Sequence, residues 1–318
     1  MLCAPFFSCS SEEEDTTKDF LSGDMSLDPS QFALVGDTLT FHPKGVSQPD
    51  DEGALGLYFT ISSLHTSLDT VYRPDVNPFP VKGATIGYRF SKDTLGTFTL
   101  TATAYSRDSD LYYTTAGSTT ITLVNENKSI LPRIGYVSFD AGITDPRDGE
   151  GYNYVEIGST KWLKQNLHYK GTEDSPVGIP FYKAEVMNKI FGRYYTYEEA
   201  LTACPEGWTL PSSADFDALG EDVGAMMVDA TFNTVQMWEF WPGVDIKNTL
   251  KLGIIPVGYA DAAGAEFKGY GSYAAFWTSD EASASQAYGR YIHEEQNLLM
   301  KSPFDKKNTA LSVRCIKK

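Results

Sequence analysis

The sequence predicts two globular domains behind an acidic N-terminal segment: an all-β sandwich over residues 27–127, then a domain mixing short helices with strands over 128–318. Three observations carry this. Between Gln31 and Val124, short apolar runs alternate with polar residues and are split by turn signals, the period-two pattern of half-buried strands. Between Gly192 and Leu219 the pattern changes, and two helix starts follow one another closely. Separating these regions, Asn125–Pro132 (NENKSILP) has the polar composition of a linker. At 318 residues the chain is long enough for two cores.

Residues 1–26 are expected to contribute no core. An apolar tip, MLCAPFFSC, runs straight into SSEEEDTTKD, which is too polar and aperiodic to fold. Strands are then expected at TLTF (Thr38–Phe41), LYFTI (Leu57–Ile61), GATIGYRF (Gly83–Phe90), GTFTLTATAY (Gly96–Tyr105) and STTITLV (Ser118–Val124). In the fourth, Phe98, Leu100, Ala102 and Ala104 share one face and the threonines take the other. Five such strands without helical period make a sandwich.

In the second domain, Ile134–Phe139 reads as a strand, and Tyr154–Ile157 with Lys161–Leu163 as a hairpin across Gly158-Ser159. Thr196 and Glu199 form a capping box ahead of an apolar stripe of Tyr197, Ala200, Leu201 and Cys204. Pro205 stops that helix and Gly207 lets the chain turn. Ser212 and Asp215 open a second helix, with Phe216, Leu219 and Val223 on one face. Closing strands are expected at Phe276–Ser279, Ala287–Ile292, Leu298–Lys301 and Leu311–Ile316.

Four blocks in order, DPRDGEGYNYVEIGSTKWLKQNLHY (Asp145–Tyr169), GRYYTYEEALTACPEGWTLPSSADF (Gly192–Phe216), FWTS (Phe276–Ser279) and LSVRCIKK (Leu311–Lys318), resemble the Fibrobacter succinogenes major paralogous domain, FISUMP. The resemblance implies a C-type-lectin-like α+β fold on a bacterial envelope protein, and no established activity. GTFTLTATA is similar to immunoglobulin-like (Ig-like) or PKD-like modules of bacterial surface proteins, so the expected order is an Ig-like sandwich followed by a C-type-lectin-like domain. The N-terminus resembles the end of a Bacteroidetes lipoprotein signal peptide, with Cys9 as the lipidated residue and Ser10–Asp15 as a surface-export tag. On that resemblance Cys3 falls in the signal and Cys9 carries lipid. Cys204 and Cys315, left as a pair in an exported chain, are then expected to be disulfide-bonded.

A formal net charge of −16 argues against nucleic acid as a partner. No apolar run is long enough to span a bilayer, so membrane association is expected through the lipid anchor only. Asp145, Asp148 and Glu150 suggest a calcium loop at first sight, but they do not complete an EF-hand, and a hairpin turn explains them better. The four histidines stand in no metal-ligand spacing, and no nucleophile elbow, Walker loop or dinucleotide fingerprint occurs. No cofactor and no catalysis are expected.

What remains is an aromatic group in the Gly- and Ala-rich region 236–275, which corresponds to the long ligand loop of the lectin-like fold. Trp238, Trp241, Tyr259, Tyr270 and Tyr273 are the candidate ligand-binding residues; the competing reading has Trp238 and Trp241 forming the small core that a long irregular loop needs, with the tyrosines the more exposed. The expected function is an outer-membrane, lipid-anchored surface protein whose lectin-like head binds an extracellular glycan or protein. The alternative is a structural subunit of an envelope or fimbria-like assembly.

Overall fold

A computed structural model describes residues 26–27, 31–41, 54–63, 86–89, 95–108, 111–134, 142–238 and 244–318; the signal remnant with Cys9, the residues Gly135–Phe139 and Trp241 lie outside them. The chain is mostly β. It divides into two compact units, residues 1–30, 38–88 and 98–120 in the first and 31–37, 89–97 and 121–318 in the second.

In the first unit, Ala54–Ser63 runs antiparallel to the strand Gly96–Asp108 in unbroken register from Ala54↔Arg107 to Ser63↔Phe98. Phe98 and Leu100 are buried while Thr97 and Thr99 are exposed, as the alternation requires.

The expected linker at Asn125–Pro132 is instead folded into the second unit. Asn125 Oδ1 accepts from the Asn127 amide and Ser129 Oγ accepts from the Asn125 amide, closing a turn. The chain then enters the strand Ile130–Ile134, which pairs with Asp229–Phe232. Ser129 is fully buried there, and its carbonyl accepts from the Asn233 amide. Polar side chains that satisfy their own backbone can look like a linker in sequence.

Two larger sheets form the rest. Gly142–Thr144, Gly151–Ile157, Thr160–Leu163 and Ile316–Lys317 pair antiparallel, so the C-terminal strand closes on the early hairpin with Trp162 opposite Ile316. Gly158, at φ +63°, makes the hairpin turn. The other sheet takes the order Phe267–Tyr270, Val257–Asp261, Tyr273–Glu281, Gln286–His293, Met300–Asp305. Region 236–275 is therefore no single irregular loop, because Val257–Asp261 and Phe267–Tyr270 form an antiparallel hairpin inside it.

Both capping boxes are present, at Thr196/Glu199 and Ser212/Asp215. The helices are shorter than expected. The first, Tyr197–Ala203, buries Tyr197, Ala200 and Ala203 and exposes Leu201. The second ends at Asp217, and Gly220 at φ +90° turns the chain before Val223, which reaches the core from a 3₁₀ turn. Cys204 and Cys315 are disulfide-bonded, with Cα atoms 5.8 Å apart, joining the first helix to the C-terminal run. Leu311–Cys315 is not one continuous strand but crosses the interior, bridging Tyr195 through Leu311 and Phe276 through Ser312. Consequently both of its faces are buried: Leu311, Val313 and Cys315 on one, Ser312 and Arg314 on the other.

Candidate functional site

The buried face carrying Arg314 borders a cavity of about 500 Å³ in the second unit. Its walls come from three neighbouring segments. The chain leaving the hairpin contributes Lys164, Asn166 and His168; the turn at 188–192 contributes Lys189, Phe191 and Gly192; and the loop before the second sheet contributes Gly253 and Ile255. Glu126 and Glu150 complete the rim.

Arg314 anchors the floor. It is 2% exposed, and its Nε donates to Asn166 Oδ1 at 2.7 Å. Its Nη1 donates to the carbonyls of Leu163 (3.1 Å), Leu252 (2.9 Å) and Lys164. All four acceptors are neutral, and among the described residues no carboxylate forms an ion pair with it. Burial accordingly pulls the guanidinium down to about 9. Asn166 passes the constraint on through Nδ2, which donates to the Phe191 carbonyl at 2.9 Å.

His168 stands in the wall at 5% exposure, its ring stacked on Tyr152 with centroids 4.3 Å apart. Asn188 Nδ2 holds its carbonyl at 2.9 Å, and its own amide donates to the Tyr152 hydroxyl at 3.2 Å. Burial depresses the imidazole pKa, outweighing the opposing pull of Glu150, so the ring is neutral near pH 7. Its Nε2 is buried, lies 3.9 Å from Glu150 Oε2, and has no hydrogen-bond partner among the described residues. Lys164, 6% exposed, lines the same space. Lys189 bridges the two rim acids, 3.1 Å from Glu150 and 3.8 Å from Glu126. Such an arrangement is chemically a polar receptor: fixed cations and amides around an unused imidazole nitrogen.

Of the aromatic residues expected to bind ligand, Trp241 lies outside the described residues, and Trp238, Tyr259, Tyr270 and Tyr273 do not line this cavity. Trp238 takes the core alternative: it is 1% exposed and donates from Nε1 to the Ile254 carbonyl at 3.3 Å, which leaves no ring face for a ligand. Tyr273 is half-buried and stacks on Tyr291 with centroids 4.9 Å apart, while Tyr259 tilts against it at 5.8 Å. Among the described members of the group, only Tyr270 is exposed, at 42%, and it leans on Phe181 and Phe191.

The acidic turn is equally specific. Asp145 is fully buried and binds Arg147 through both carboxylate oxygens, at 2.6 Å in the closest approach. Burial alone would raise its pKa, but the hydrogen bonds and charge of Arg147 outweigh that and hold it below the usual carboxylate range. Arg147 also stacks over Tyr169 and donates to the Ala203 carbonyl at 2.7 Å. Asp148 Oδ1 accepts from the Glu150 amide, and Glu150 faces Lys189. These three acids serve a turn and two ion pairs, and do not converge on one point. Sequence reasoning passed over Lys164, Arg314 and the cavity role of His168. The signal that could have found Arg314 is its place between Val313 and Cys315 in an otherwise apolar C-terminal run.

A family model described as the Fibrobacter succinogenes major domain matches residues 155–317, which covers the cavity residues from Lys164 to Arg314. Among solved structures, a Quinonprotein alcohol dehydrogenase-like protein from Bacteroides thetaiotaomicron is similar at 11% identity and a TM-score of 0.18, over 91% of this chain and 95% of that one. Similarity at that level carries no argument about fold or chemistry. No curated protein matches the chain.

Proposed function

This chain belongs to the Fibrobacter succinogenes major domain family, and from that premise we propose that it is a surface-associated, non-catalytic binding protein whose second unit is the ligand-binding head. The observation that carries this reading is the cavity over Lys164, His168 and Arg314, a concave polar site built on a scaffold closed by the Cys204–Cys315 disulfide. The proposal keeps the lipid anchor at Cys9, outer-membrane location and Ig-like spacer expected of the N-terminal half. It moves the lectin-like binding role from the aromatic region to the cavity.

The test is a melting-temperature screen of the full chain against neutral, amino and acidic saccharides and short peptides. A ligand that binds only the native state raises the midpoint, by about 2.7 kcal/mol of stability at a hundredfold excess over Kd. At least one compound class should do so, and substitution of His168 by Phe should abolish the shift. A screen without any shift, or shifts indifferent to His168→Phe, would remove the cavity from the account.

A further inference from the structure

We propose that the cavity binds a neutral hydroxylated ring, the chemistry of a hexopyranose, with its hydroxyls on Arg314, Gln165 and His168 and its C–H face on Ile190 and Ile255. This rests on the ligand-binding reading above and adds to it the charge and class of the ligand.

The polar atoms left unused around the space suit hydroxyl groups. Arg314 spends Nε and Nη1 on four oxygens, and its Nη2 makes no hydrogen bond among the described residues. Gln165 Oε1 accepts from the Asn153 amide at 2.9 Å, which leaves Gln165 Nε2 a donor without an acceptor among the described residues. His168 Nε2 is buried and equally unpartnered, with Glu150 Oε2 3.9 Å away. The Glu150 side chain is a third exposed and pairs with Lys189, so a turn of that side chain admits a hydroxyl to the imidazole. A hydroxyl both donates and accepts, and a neutral imidazole meets it in either sense. Ile190 and Ile255 offer an apolar side to the C–H face of a ring, and about 500 Å³ accepts a sugar.

The charges already in place disfavour a ligand of either sign. An anion would enter past Glu126 and Glu150, on a chain whose formal net charge is −16. At the floor it would meet the carbonyl oxygens of Leu163, Lys164 and Leu252 and the Oδ1 of Asn166, which turn the negative ends of four dipoles toward the Arg314 guanidinium and already solvate its charge. A cation would meet Arg314 itself, while both rim acids are engaged by Lys189, at 3.1 Å and 3.8 Å. A hydroxyl meets neither repulsion and still accepts from the guanidinium.

The experiment is calorimetric titration of the full chain with galactose, glucose and mannose, against galacturonate, glucuronate and glucosamine. At least one neutral hexose should bind, and the charged sugars at least about threefold more weakly, because each meets a like charge at the rim or the floor. Affinity for the neutral sugar should hold within about twofold between low and high salt, since no ion pair forms with the ligand. Gln165→Met should weaken it about threefold to tenfold, the range for one neutral hydrogen bond. Glu150→Gln should leave hexose binding within about threefold and tighten galacturonate by about threefold or more, because it removes a negative charge from the rim; a misfolded variant cannot produce that gain. Galacturonate binding at least as tightly as the hexoses, with an affinity that falls steeply in salt, would overturn the neutral assignment while the binding head survived. Binding of none of the three hexoses would also overturn it, and the melting-temperature screen then decides separately whether the head binds anything else.

Discussion

Gly192→Ala is the sharpest probe of the cavity's construction. Gly192 sits at φ +81°, ψ −167°, a region that is nearly restricted to glycine, and holding alanine there costs about 1–3 kcal/mol. A Cβ would also fall 2.5 Å from Asn166 Cβ and 3.0 Å from the Leu167 carbonyl. Neither neighbour is the free end of a flexible chain, so the backbone must shift, at about 1–3 kcal/mol more for overpacking. The total is about 4 kcal/mol. Gly158→Ala supplies the control: φ is also positive, at +63°, but nothing lies within 4 Å of its Cβ, so only the backbone term of about 1–2 kcal/mol applies. All five tryptophans fall at or after Trp162, so fluorescence-monitored urea unfolding reports the second unit alone. The two variants should differ by about 2–3 kcal/mol at an unchanged denaturant slope. A Gly192→Ala variant as stable as Gly158→Ala would refute the close approach of residues 166 and 192 that shapes the cavity.

Two further outcomes follow from the same geometry. Non-reducing peptide mapping should recover Cys204 joined to Cys315, and replacing both by Ser should lower stability by up to about 5 kcal/mol, the chain-entropy value for a separation of 111 residues; two free thiols in the native protein would contradict the fold. Asp145→Asn should destabilise in a pH-dependent way. Because the folded pKa of Asp145 lies below its unfolded value, its contribution is fully present above about pH 4 and is lost as pH falls through the folded pKa. The gap between native and variant unfolding midpoints should therefore be widest at pH 6–7 and close in acid, and a gap independent of pH would rule out the Arg147 pairing as its cause.

Local chemistry was legible in the sequence. Both capping boxes, the Gly158 turn and the alternation of Phe98 and Leu100 depend on residues a few positions apart, and the structure repeats them. Features set by distant packing were not. Leu201 falls on the expected apolar stripe but faces solvent, because the helix presents Ala203 and Tyr197 to the disulfide-linked core. The hairpin at 257–270 was hidden by its glycines, which read as irregular loop although Gly258 and Gly269 occupy positive φ inside paired strands. Arg314 was the largest omission. In an alternating run a charged residue reads as solvent-facing, and only the meeting of Leu163–Asn166, Leu252 and the C-terminal run supplies the acceptors that let it point inward.

The central claim is that the cavity is where ligand binds, and His168 is its natural reporter. The chain has only four histidines, so imidazole ¹H–¹⁵N resonances can be assigned by single substitutions. Titrating a compound that raises the melting temperature should move the His168 Nε2 signal saturably as its unused nitrogen gains a hydrogen bond, and leave His293, which does not line the cavity, unmoved. A His168 signal that stays fixed while that compound saturates the protein would place the binding site elsewhere and contradict the account.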